Sequence, residues 1–220
     1  MSQPELTRSG DVFLIDFGDD DNVTSEAWIT RMHELLDEID ATEGAKALVT
    51  TGSAKHYSNG LDVGFMATLE PDGVNDYVKR VLTVTYRLMF MGMPTVAAVN
   101  GHAFGMGAFL VVAHDQAVMR EDRGFVCFPE VHLGMPIPAH LMSIAQATLA
   151  PRTLRYAVAT GHRFTGPAAA AAGIVDTTAP LDSLVAEATA LVEPLAGTAS
   201  DNLSTLKRQL FPAVHQHAAG

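Results

Sequence analysis

Residues 12–17 form a short run around Leu14 and Ile15, apolar but for Asp16, which predicts a strand. Gly18-Asp19-Asp20-Asp21-Asn22 predicts the turn that follows. Thr24 or Ser25 suits the N-cap of a helix along which Trp28, Met32, Leu35, Leu36 and Ile39 recur on one face. A short apolar strand is expected at 47–50, and a loop rich in Gly, Ser and Asn at 51–62. Tyr77, Val81, Val84, Tyr86, Leu88 and Met89 follow helical spacing within 74–91, before Pro94 ends the pattern. A strand at 95–99 leads into a Gly-rich turn at 100–107 and the start of a buried helix at 108–113. Strands are expected at 117–120 and 125–128, then helices at 139–150, 152–160 and 165–172. A strand at 174–176 precedes a helix at 181–195. The segment 202–214 is amphipathic, with Lys207 and Arg208 on its exposed side. Strands alternating with helices predict an α/β architecture with parallel pairing. No repeat period or linker divides the chain.

Composition narrows the partners. The 220 residues suit one compact domain, and an apolar content of 48% allows a sizeable core. A net charge of −11 with no basic patch argues against general nucleic-acid binding. No apolar run reaches the roughly 18 residues of a membrane span; 103–113 is too short and carries glycines. Residues 1–20 lack the basic and apolar regions of a secretory signal, and the ending His217-Ala218-Ala219-Gly220 is not a peroxisomal address. Cys127 is the only cysteine, so an intrachain disulfide is impossible and a small buried apolar role is expected. A reducing cytoplasm is the simplest compartment.

Three segments carry candidate chemistry. In VNGHAFGMGAFLVV, Gly101, Gly105 and Gly107 allow a sharp strand-to-helix turn whose first N–H groups can donate outward. The same run also fits a plain close-packed crossover. It is not a dinucleotide fingerprint, because position 110 is Leu, and no Gly-Lys-Ser/Thr follows to make a phosphate loop. In Tyr57-Ser58-Asn59-Gly60-Leu61-Asp62, Asn-Gly reads as a turn entering a helix, with Asp62 near its N-terminus. Glu130, between Phe128-Pro129 and Val131, is a carboxylate in apolar surroundings; partial burial would raise its pKa and leave it basic enough to take a weakly acidic proton. An ordinary surface turn is the plainer reading of that pair. Nine histidines form no His-Glu-x-x-His pattern, so no metal site is expected. His56, Ser58 and Asp62 crowd one loop and do not suit a nucleophilic triad.

Taken together and in order, HYSNGLD, AAVNGHAFGMG and FPEVHLG resemble the crotonase, or enoyl-CoA hydratase/isomerase, superfamily. The likeness runs from about residue 10 to 195. It implies a ββα spiral superhelix over 1–195, with C-terminal helices at 196–220 packing on the core or on a neighbouring subunit in a homotrimer or a dimer of trimers. It also implies that the Leu61 and Met106 amides form an oxyanion hole, that Ser58, Asn59, Gly60, Asp62, Gly105 and Phe109 contact the coenzyme A ester, and that Glu130 is the catalytic acid/base.

Within the family, hydratases carry a further glutamate where this chain has Phe109. Water addition needs a held nucleophile and a proton donor, whereas double-bond migration needs one base that removes a proton and returns it two carbons away. The resemblance is strongest to plant-type peroxisomal Δ3,Δ2-enoyl-CoA isomerases, which implies conversion of 3-enoyl-CoA to trans-2-enoyl-CoA in fatty acid β-oxidation, without a metal or redox cofactor. Hydration, with His102 or His132 replacing the missing glutamate, another reaction of the family on an acyl-CoA such as hydrolysis or decarboxylation, and acyl-CoA binding without turnover are the alternatives. Lys55, Lys79, Arg80, Arg87, Lys207 and Arg208 are candidates for the coenzyme A phosphates, and Phe65, Met66, Leu69, Met89 and Met91 for an acyl pocket.

Overall fold

The computed structural model describes residues 3–218, so Ala219 and Gly220 of the chain's ending lie outside the described residues. The first turn of chain is an antiparallel hairpin of β1 (Glu5–Ser9) and β2 (Val12–Asp16). Helix α1 (Glu26–Asp40) follows, with Ser25 as N-cap, its hydroxyl accepting from the Trp28 amide at 3.3 Å. The chain continues through β3 (Ala47–Thr51), β4 (His56–Ser58), α2 (Val63–Met66) and α3 (Pro71–Phe90). Next come β5 (Thr95–Val99), β6 (His102–Phe104) and α4 (Met106–Val112). Then come β7 (Gln116–Arg120), β8 (Val126–Cys127), α5 (Glu130–Leu133), α6 (Ala139–Thr148), α7 (Pro151–Thr160) and α8 (Gly166–Ala171). Strand β9 (Thr177–Ala179) precedes α9 (Leu184–Val192), α10 (Asp201–Leu210) and α11 (Pro212–Ala218).

The spiral is visible in the pairing. In each of β3–β4, β5–β6 and β7–β8, the first strand enters a six-stranded sheet, ordered β1-β2-β3-β5-β7-β9, and the second enters a small sheet ordered β4-β6-β8. From β2 onward the pairs are parallel. The period of two sorts the large sheet's side chains. Phe13, Ile15, Leu48, Ala97, Val99 and Met119 face the main core, while Val12, Val49, Val96, Ala98 and Val118 meet α9. Both faces are covered, which is why β3 and β5 read as unbroken buried runs.

Several expected elements differ. β1 is an exposed edge strand with no apolar alternation. β4 and β6 lie inside segments that read as loop and turn, because their pairing comes from the neighbouring coil of the spiral. The strand expected at 174–176 starts instead at Thr177. Ile174 and Val175 are buried in the turn that closes α8, both amides reaching the Ala169 carbonyl, at 2.9 and 3.5 Å. The helix expected at 181–195 is three pieces, because Pro194 cannot continue α9; 3-10 turns occupy Leu181–Ser183 and Glu193–Thr198.

Lys207 is not exposed. It is 5% exposed, and its Nζ donates to the Met93 carbonyl at 2.8 Å and to Asp115 at 2.6 Å. Asp115 also takes the Thr95 amide at 2.8 Å. The apolar pattern of α10 therefore hides its lysine and leaves Leu206 and Leu210 exposed.

A buried polar chain joins the two segments that will frame the site. Thr50 Oγ1 lies 2.7 Å from Tyr57 Oη on β4 and 3.0 Å from His114 Nε2, just after α4. His114 Nδ1 is 2.8 Å from the Leu110 carbonyl, so Nδ1 carries the proton and Nε2 accepts. Burial pushes the His114 pKa down to about 4, keeping the ring neutral.

Candidate active site

The segment 58–62 is held by hydrogen bonds on both sides of one free amide. Ser58 Oγ donates to the Asn22 carbonyl at 2.8 Å and accepts the Gly60 amide at 3.2 Å. The Gly60 carbonyl accepts the Thr24 amide at 2.9 Å. Asp62 caps α2 by accepting the Phe65 amide at 2.9 Å, and its own amide donates to Tyr77 Oη at 2.9 Å. Between them, the Leu61 N–H has no protein acceptor among the described residues. Gly60 is obligatory here: its φ is 91°, and a Cβ would stand 2.6 Å from the Phe104 carbonyl oxygen.

The second amide comes from the start of α4. Gly105 has φ 52° and ψ −118°, a conformation that L side chains avoid, and it turns the chain from β6 into the helix. Met106 is the first helical residue, and its N–H likewise has no protein acceptor among the described residues.

Glu130 opens α5 directly after β8 and Pro129. Left-handed Gly134 ends that single turn, its amide closing on the Glu130 carbonyl. The carboxylate reaches toward α4: Oε1 lies 3.7 Å from the point a Cβ on Gly105 would occupy. Oε2 is closed off from solvent with no hydrogen-bond partner among the described residues. Desolvation raises the Glu130 pKa above the ordinary carboxylate value.

Leu61, Met106 and Glu130 line one cavity of about 420 Å³, together with Asn59, Gly60 and Gly105. Its remaining wall is mostly apolar and includes Met66, Val74, Val78, Ile137 and Leu141. Ser58, Asp62 and Phe109, expected to contact the ester, do not line this cavity. Ser58 and Phe109 are fully buried, and Phe109 packs edge-on against Phe128 with ring centres 5.0 Å apart. Of the expected acyl-pocket residues, Met66 lines the cavity, whereas Met89 and Met91 are buried in the core and Phe65 packs on Tyr77. Val74, Val78, Ile137 and Leu141 were not among the expected lining, because nothing in an apolar helix pattern separates a cavity wall from a packed core.

The two histidines considered as substitutes lie elsewhere. His102 stacks on Phe104 in the small sheet, and His132 is exposed with its ring against Gly161. His56 pairs with Asp21 at 3.0 Å instead of meeting Asp62. Cys127 is buried and its thiol is pushed up to about 11, chiefly by desolvation. Among the candidate cations, Lys79 borders the cavity and Arg80 is paired with Glu26. Arg87 is held by Asp37 and Asp40 at 2.7 and 2.8 Å, Lys207 is occupied as described, and exposed Arg208 lies over Phe90. Among the described residues, no helix is long and apolar enough to cross a membrane.

Known proteins share this arrangement of the chain. The family model for enoyl-CoA hydratase/isomerase matches residues 7–219. Enoyl-CoA delta isomerase 3 of Arabidopsis thaliana is 30% identical over 218 residues, covering 94% of this chain and 91% of that protein. The crystal structure of a probable enoyl-CoA hydratase from Mycobacterium tuberculosis superposes with a TM-score of 0.90 at 26% identity, covering 99% of this chain and 93% of the other. Human mitochondrial delta3-delta2-enoyl-CoA isomerase shares the fold, with a TM-score of 0.90 at 21% identity over 98% of this chain and 86% of that one. With the spiral of ββα units and these matches, the chain belongs to the enoyl-CoA hydratase/isomerase family and has the crotonase fold.

Proposed function

We propose that the protein is a Δ3,Δ2-enoyl-CoA isomerase with Glu130 as its single acid/base. The observation that carries this reading is the lone carboxylate in an apolar cavity shared with two unpartnered amides. The thioester oxygen of a 3-enoyl-CoA accepts from the Leu61 and Met106 N–H groups. One Glu130 carboxylate oxygen removes a proton from C2, and the electron pair delocalises over the thioester and the C3–C4 double bond as a dienolate. The two amides stabilise the negative oxygen where charge develops. Protonated Glu130 then returns the proton to C4, giving the trans-2-enoyl-CoA and regenerating the carboxylate. Nothing is oxidised or reduced, and the proton count balances.

The missing hydrogen-bond partner at Glu130 Oε2 suits this task, because a carboxylate without donors is a stronger base. Phe109 offers no proton donor where hydratases hold their further glutamate, and neither His102 nor His132 lines the cavity, which disfavours water addition. Glu130→Gln should lower turnover of 3-hexenoyl-CoA by at least about 10³-fold while leaving affinity for the ester nearly intact. Double-bond migration at an undiminished rate in this variant would sink the assignment.

A further inference from the structure

Beside the Glu130 cavity lies a second one of about 500 Å³, bounded by α3, α6, α10 and α11. Lys79 and His140 line both, whereas Glu130 lines only the first. In character the two differ. Apart from Asn59, Asn75, Glu130 and the shared pair, the first cavity is lined by apolar residues, Val74, Val78 and Leu141 among them. The second cavity holds Lys79, Arg87, His140, Arg208 and His217, and no Asp or Glu lines it among the described residues. In a chain of net charge −11, such a gathering is not the average surface. Arg87 is neutralised by Asp37 and Asp40, but no ion pair of Lys79, Arg208 or His217 exists among the described residues.

Two buried polar atoms sharpen the contrast. Tyr86 Oη and His140 Nε2 are both shut off from solvent without a hydrogen-bond partner among the described residues, and both residues line this cavity. An unmade hydrogen bond at a buried donor is costly, so two on one wall point to a ligand that completes them. Tyr86 Oη can donate, His140 Nε2 donates in one of its tautomers, and the surrounding cations favour a negative acceptor. The neighbouring Glu130 cavity, which shares Lys79 and His140 with this one, is mostly apolar, and that suits an alkyl chain better than a pantetheine arm with its amides.

We propose that the second cavity receives a carboxylate at the far end of the acyl chain, so that the substrates are CoA monothioesters of unsaturated dicarboxylic acids. This inference rests on the acyl-CoA reading above. In it the thioester sits at Leu61 and Met106, the chain lies along the apolar lining of the first cavity, and the terminal carboxylate accepts from Tyr86 Oη and His140 Nε2 beside Lys79 and Arg208.

The test is calorimetric binding of saturated CoA thioesters, which cannot react, in pairs of equal chain length ending in methyl or carboxylate. At the chain length that spans the two cavities, the carboxylate-ended ester should bind at least about tenfold tighter. The double variant Lys79→Met/Tyr86→Phe should bring that preference to within about twofold of unity. Tyr86→Phe alone removes one hydroxyl and guards against a folding defect; it should lower the preference about threefold or more. Equal or weaker binding of the carboxylate-ended ester at every length would overturn the proposal. So would a double variant that weakens both members of each pair alike, since that pattern belongs to a coenzyme A phosphate in the cavity. Because no turnover is involved, failure of the isomerase reading would show separately, as absent double-bond migration with 3-hexenoyl-CoA.

Discussion

Glu130 is costly to the fold in the ionised state that the proposed chemistry requires. Desolvation raises its pKa in the folded protein above the unfolded value, so the native state holds the proton more tightly. The favourable linkage is therefore fully present below the unfolded pKa and is lost as pH rises through the folded pKa. Two outcomes are expected. The rate constant kcat/KM should climb with pH through a value above the ordinary carboxylate range, because only ionised Glu130 can take the C2 proton; a profile already flat at the ordinary value would contradict the buried setting. Glu130→Gln should melt higher than the parent at pH 7, and this gain should shrink toward pH 4, as thermal scans at the two pH values would reveal. At this scale the sequence was legible in which residues come together. Glu130, Leu61 and Met106 share a cavity, as their motifs led one to expect. It was silent on Ser58 and Phe109 lying off the cavity wall, because burial depends on what the next coil of the spiral covers.

Among elements, the turns on either side of the cavity matter more than the strands. Gly60 sets the turn that leads into Leu61 by a backbone angle that alanine resists, with the Phe104 carbonyl filling the space a Cβ needs. Gly60→Ala should cost roughly 1–3 kcal/mol of stability and about 10²-fold in kcat, measured by denaturant melts and initial rates. A normal kcat would mean that the Leu61 amide is not an essential donor. Long amphipathic elements such as α1 and α3 were readable from periodicity, though α3 begins at Pro71, before the apolar pattern does. The three-residue strands β4 and β6 were not, since each contributes too few side chains to show a period and owes its existence to a partner over forty residues away. Strand β9 was displaced because Ile174 and Val175, apolar enough for a strand, are spent on closing α8.

For the molecule as a whole, the C-terminal helices are fastened by charge as well as by packing. Lys207 on α10 reaches 92 residues back to Asp115, next to the large sheet, and burial lowers its pKa while Asp115 opposes the change. Lys207→Met removes one partner and strands the other, which is the costly way to break such a pair. Because Asp115 is about a third exposed, the expected loss is roughly 1–3 kcal/mol, read as a lower urea midpoint. An unchanged midpoint would show that α10 is held by its apolar contacts alone. An amphipathic pattern could not reveal this bond, because it assumes that a lysine faces water.

Phe109 carries a wider consequence. Its ring is sealed against Phe128, off the cavity wall. Introducing a hydratase-like glutamate by Phe109→Glu should therefore yield an unstable protein with no measurable crotonyl-CoA hydration, not a new enzyme. A carboxylate there would first need α4 and the segment carrying Phe128 to move apart. Between these two chemistries stands a packed aromatic pair, and trading one ring for one acid does not bridge them.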